Sequence, residues 1–176
     1  MNNETLTKSF IAEVVTKPFN FRCLNIHNWQ QSKTVWKELV GFLILTGLLG
    51  PLDWVKDRDL QKQGVDFIYK GKYHDLKSLV GDYTTEEGLN VVIELAQYGK
   101  TSLTLDKLTD ALVYTVLEER GVHVVFVDYK KLVKNQGYLR EHYNIRTSNN
   151  GTGEYVRIPV KDLSKITNVV VKEVKR

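Results

Sequence analysis

A chain of 176 residues with 42% hydrophobic content has the length of one domain and enough apolar residues to bury a core. Its one cysteine, Cys23, excludes an internal disulfide and any thiolate-built zinc or iron–sulfur centre, and is compatible with a reducing cytoplasm. The formal charge of +4 is unevenly spread: residues 121–176 hold 11 Lys/Arg against 5 Asp/Glu, whereas residues 1–120 hold 14 against 16. A basic surface beside an acidic cleft suits an enzyme of nucleic acids, with cations holding the backbone and carboxylates holding a metal. A solvated basic tail is the alternative. The start of the chain has no basic segment leading into an apolar one, and the longest apolar run, near 42–49, is far short of the ~20 residues that span a bilayer, so a soluble intracellular protein with no membrane partner is expected.

In chain order, residues 8–24 alternate loosely and read as a strand or an extended arm. From 29 to about 49 the residues Val35, Trp36, Leu39, Val40, Phe42, Leu43 and Leu45 recur at helical spacing, and Gly50-Pro51 stops the helix. Core packing accounts for Trp29, Trp36 and Trp54 better than base stacking does. A tight β-hairpin is expected over about 64–80 and a loop over 81–88. Residues 90–96 form a third strand, apolar on both faces except at Glu94, as near a sheet centre. Leu105, Leu108, Ala111, Leu112, Thr115 and Val116 make one stripe, so a helix is expected over 105–120, with Asp106, Lys107 and Asp110 in its first turns, where the macrodipole favours acids. A buried strand over 122–127 follows, and helix then strand implies a crossover and a mixed sheet. A short helix through Val133, a polar loop with its tip at 147–153, a last strand at 155–160 and a helical turn at 162–165 complete the chain.

The chemistry is concentrated in the hairpin. With Lys70-Gly71 as its two-residue turn, Tyr69 faces Lys72, and counting back sets Asp66 opposite Asp75. Side chains alternate along a strand, so Asp66, Asp75 and Lys77 share one face while His74 points away. Facing carboxylates repel unless something positive lies between them, and a hard divalent cation would satisfy both. Surface ion pairs with Lys72 or Lys77 are the plainer reading. Glu94, alone in an apolar strand, and Glu38, interrupting an apolar helix, are candidate further acids. Lys107, Lys130, Lys131, Lys134, Arg140, Arg146 and Arg157 are the candidate phosphate contacts. The histidines His27, His74, His123 and His142 have no metal-ligand spacing.

The order helix, strand with Asp, hairpin to a strand with Asp-x-Lys, further strand, helix, strand resembles the PD-(D/E)xK nuclease superfamily over roughly 29–130, with Gly64-Val65-Asp66 and Asp75-Leu76-Lys77 standing for its motif. Val65 replaces the name-giving proline, and Asp75 stands where Glu is more usual. The resemblance implies a single restriction-endonuclease-like α/β domain over 1–176, whose mixed central sheet is flanked by helices, with a basic C-terminal extension from about 131, of a kind found in bacteria and their phages. It implies a nuclease, on DNA or as an RNase, in which Asp66 and Asp75, with Glu94 and Glu38, hold Mg²⁺ or Mn²⁺. The metal activates a water and Lys77 orients that water or offsets charge on the phosphate. A homodimer is compatible with it, and a non-catalytic nucleic-acid-binding or protein-interaction module on the same fold is the rival.

Overall fold

The computed structural model describes residues 29–118, 121–148 and 150–175. The expectation for 8–24 lies outside the described residues. The chain runs through α1 (Trp29–Leu49), β1 (Asp53–Trp54), α2 (Arg58–Lys62), β2 (Phe67–Tyr69), β3 (Lys72–Val80), β4 (Thr84–Thr85), β5 (Gly88–Gln97), β6 (Lys100–Thr101), β7 (Ala111–Glu118), β8 (Gly121–Asp128), α3 (Tyr129–Lys134), α4 (Gln136–His142), β9 (Arg146–Thr147), β10 (Gly153–Pro159), α5 (Val160–Ile166) and β11 (Val169–Lys175). The strands make a six-stranded mixed sheet, β1-β2-β3-β7-β8-β11, and a second sheet, β4-β5-β10-β9, with β6 also on β5. In the first sheet β3 and β7 are parallel and every other neighbouring pair is antiparallel. The fold is therefore mixed α/β, as expected, with a second antiparallel sheet added to it. No described helix is long and apolar enough to cross a membrane.

Both faces of the mixed sheet are buried, which is why β7 and β8 are nearly continuous apolar runs. Val113, Leu117, Val122 and Val124 pack under α1 with Val40, Ile44 and Leu45. Leu112, Tyr114, Val116, Val125 and Val127 face the other way, against β5, β10 and the helices α3 to α5. Gly41 sets how closely α1 approaches: a Cβ there would sit 2.0 Å from Ser78 Oγ and 2.6 Å from Thr115 Oγ1, two hydroxyls that bond to each other at 3.1 Å.

Residues 105–120 do not form the expected helix. Residues 111–118 are the strand β7, paired in parallel with β3, and the polypeptide before them is irregular. Leu105 and Leu108, which began the helical stripe, are 56% and 38% exposed and are not core. A strand buried on both faces has no alternation to show, and the Val-Tyr-Thr-Val composition favours a strand over a helix. The parallel connection from β3 to β7 is thus made by β4, β5 and β6 rather than by a helix. For the same reason the strand carrying Glu94 belongs to the second sheet and not to the one carrying Asp66 and Asp75. The strand β10 is followed by a further strand, β11, which closes the edge beyond β8. Residues after 130 thus supply strands to both sheets.

Candidate metal and phosphodiester site

The hairpin forms in the register that its sequence demands. Lys70 and Gly71 have φ of 51° and 72°, the paired positive values of a two-residue turn, and Tyr69 faces Lys72, Ile68 faces Tyr73 and Phe67 faces His74. The strand pairing stops there: Asp66 lies in a bend just before β2, its N–H donating to the His74 carbonyl at 2.8 Å, and its carboxyl comes beside that of Asp75. His74 is buried on the other face, its ring stacked on Phe67 at 4.9 Å, so it takes no part in the acidic face.

Asp75 is 6% exposed and its Oδ1 lies 2.7 Å from the Lys77 ammonium. Asp66 Oδ2 accepts the Leu76 N–H at 2.7 Å. Burial, reinforced by Asp75, pushes the Asp66 carboxyl up to about 6, against the opposing pull of the Leu76 N–H and Lys77. Burial alone would lower the Lys77 ammonium, but Asp75 beside it, with Asp66 and Glu94 beyond, holds it above the ordinary lysine value. The lysine thus stays charged through neutral pH, and the pair of acids is held together at a cost that a cation would relieve.

A cleft of about 280 Å³ opens over Asp75 and Lys77. The strand β2 pairs only the first residues of β3, so the rest of β3 is uncovered on that side, and the cleft lies there. Glu38 enters from α1 and Glu94 from β5, with Ser102, Lys107, Tyr114 and Tyr129 also on the walls. Partial desolvation lifts the Glu38 carboxyl above its usual value, with Lys77 opposing and Asp75 adding to the shift. Glu94 is exposed and accepts from Ser102 Oγ at 2.6 Å. Opposite it the β5–β10 register slips between Glu154 and Tyr155, a bulge of the kind that re-aims a side chain. Tyr114, buried next to the acids and level with Lys77 in register, is raised well above an ordinary phenol by burial and then by Asp75 and Glu94, and remains neutral.

The remaining candidates divide. Lys107 stands on the cleft wall in an irregular segment, not in a helix. Asp106 is exposed there, and Asp110 accepts the Tyr73 N–H at 2.9 Å, tying that segment to the hairpin. Lys130 reaches the Lys107 carbonyl, Lys131 donates to Asn168 at 3.2 Å, and Arg140 pairs with Glu154 at 3.1 Å, so these three bind the protein's own groups. Arg146 and Arg157 lie together at a separate cavity, where Tyr83 and Tyr155 also line the wall. The sequence offered no signal for Ser102, Tyr114 or Tyr129, which reach the cleft only through the pairing of distant strands.

Among the described residues no group of three or more His, Cys, Asp and Glu has the geometry to hold a metal. Asp66 and Asp75 are neighbouring acids that could supply two carboxylate ligands, and Glu38 and Glu94 stand on the cleft walls. That set suits Mg²⁺, which binds through one or two carboxylates and keeps several waters. No family model, curated protein or solved structure matches the chain.

Proposed function

We propose that the protein is a metal-dependent nuclease that hydrolyses nucleic-acid phosphodiester bonds, with DNA as its substrate and a restriction-endonuclease-like arrangement around the hairpin. The observation that carries this reading is the Asp66 carboxyl beside that of Asp75 at the root of a tight hairpin, with Lys77 on Asp75 at 2.7 Å and a cleft open over Asp75 and Lys77. Asp66 and Asp75 would hold Mg²⁺ or Mn²⁺, which when bound acts as a Lewis acid toward a phosphoryl oxygen and lowers the pKa of water. Lys77, half-exposed and kept charged, would meet the negative charge that develops on the phosphate. Glu94 and Glu38 border the cleft from the second sheet and from α1, where either carboxylate can orient or accept a proton from water. Tyr114 forms part of an uncharged, mostly buried floor.

The test is incubation of the purified protein with plasmid, linear duplex, single strands and RNA in Mg²⁺, Mn²⁺ or EDTA, beside Asp75→Ala and Lys77→Ala. Metal-dependent cleavage lost in both variants is the expected result, and equal cleavage by all three proteins would remove the site assignment. The absence of a third metal ligand among the described residues favours one alternative, a module that binds nucleic acid without cutting it. That alternative predicts binding in EDTA and no cleavage of any substrate.

A further inference from the structure

We propose that Arg146 and Arg157 form a phosphate-gripping subsite, so that the substrate is a nucleic-acid strand held at two points and not a mononucleotide. The inference rests on the nuclease reading and extends it from a reacting phosphate to a polymer. A second cavity of about 290 Å³ adjoins the acid-lined cleft, and Val92 of β5 stands on the wall of both. Lys77 beside the first cavity and Val80 beside the second are three residues apart along β3, about 10 Å at the rise of a strand. Duplex DNA carries a phosphate every ~3.4 Å of axis on each strand, so both cavities fall within about three nucleotides of one strand.

The arginines are arranged to receive an anion. Arg157 lies with its guanidinium 5.2 Å from the Tyr83 ring centre and donates from Nη2 to the Asp82 carbonyl at 2.9 Å, which fixes the plane of the fork. Its Nε is buried and has no hydrogen-bond partner, the one side-chain nitrogen or oxygen so placed among the described residues. Arg146 is exposed on β9, directly across from Tyr155 on β10. Among the described residues neither arginine pairs with a carboxylate, whereas Arg140 on the same side of the chain is bound to Glu154. A fixed planar fork on an aromatic face, next to a second free guanidinium, is suited to the oxygens of a phosphate. The tyrosine rings offer a surface on which a base or sugar can rest.

The full chain is titrated against a fluorescent oligonucleotide duplex in EDTA, with anisotropy as the readout and salt varied. Each variant's melting temperature is read first. Arg146→Ala is expected to weaken binding roughly five- to tenfold and to reduce the slope of log K against log salt by about 1, equally for all sequences. Arg157→Lys keeps the charge and loses the fork, so a similar loss of affinity with an unchanged slope is expected. Arg140→Ala serves as the control and should bind as wild type does. Wild-type affinity and slope in both Arg146→Ala and Arg157→Lys would overturn the subsite, even where Mg²⁺-dependent cleavage persists and the acid site stands. Arginine-dependent binding by a protein that never cleaves supports the subsite and removes the nuclease reading. Competition by inorganic phosphate at oligonucleotide concentrations would show an isolated anion site and overturn the polymer seat.

Discussion

Two buried carboxylates on adjacent strands of the mixed sheet are treated in opposite ways. Glu118, at the end of β7, and Asp75, in β3, each have a side chain only 8% exposed. Glu118 accepts the N–H groups of Tyr83 and Thr84 at 2.7 and 2.6 Å and the Thr84 hydroxyl at 2.7 Å, and His123 Nε2 lies 3.3 Å away. Burial would raise its carboxyl, but the bonds from Thr84 and Tyr83 outweigh burial and hold it below the ordinary range. The Asp66–Asp75 pair, by contrast, has one backbone N–H and one ammonium between two acids, and the Asp66 carboxyl is pushed up. The fold is able to satisfy a buried carboxylate from the protein alone, and at Glu118 it does so. At the hairpin two neighbouring acids share fewer donors, and the proposed cation would relieve their repulsion.

That contrast breaks down or sharpens under substitution. The largest effect is on chemistry: Asp75→Ala or Lys77→Ala should lower metal-dependent cleavage by about 10²–10³-fold with little loss of melting temperature, measured by plasmid nicking and thermal denaturation. Glu118→Ala should do the reverse, costing about 3 kcal/mol and several degrees of melting temperature by stranding the Tyr83 and Thr84 donors, while cleavage per folded molecule is unchanged. If Glu118→Ala abolished cleavage in a fully folded protein, the two acids would not differ in role. Gly41→Ala should cost about 1–3 kcal/mol, because the new Cβ drives α1 off Ser78 and Thr115 and carries Glu38 with it. Asp66→Asn keeps an oxygen for the Leu76 N–H and removes a charge, so in EDTA at neutral pH it should stabilise the protein by about 1 kcal/mol, read from the denaturant midpoint.

The two carboxylates also give opposite pH dependences. The folded pKa of Glu118 is depressed, so its contribution to stability is present above its unfolded value and is lost as pH falls through the depressed one. The folded pKa of Asp66 is raised, so its contribution is complete below the unfolded value of 3.8 and is lost as pH rises through about 6. In EDTA the melting temperature should therefore decline across pH 6, and Asp66→Asn should remove that decline.

The hairpin was legible because its turn is self-announcing: Lys70-Gly71 adopts the two positive φ values, and strand alternation then places His74, Asp75 and Lys77, while Asp66 falls in the bend before β2 and reaches Asp75 from there. The helix α1 was legible from its spacing and its Gly50-Pro51 stop, and β8 from its apolar run. The strand β7 was not, since burial on both faces erases the period-two signal and its residues fit a helical stripe by coincidence. With the crossover misread, the strand of Glu94 was expected in the central mixed sheet, whereas it belongs to the second sheet, from which Glu94 lines the cleft. The Arg146–Arg157 cavity depends on β9 and β10 pairing after a long separation from β3, which local pattern does not encode.

The most direct test of the central claim is the melting temperature of the full chain with and without Mn²⁺, above and below pH 6, in wild type and Asp75→Ala. The account predicts that Mn²⁺ raises the wild-type melting temperature above pH 6, has little effect well below it, and has none on Asp75→Ala at either pH. An equal Mn²⁺ response in wild type and Asp75→Ala, or no response in either, would contradict it.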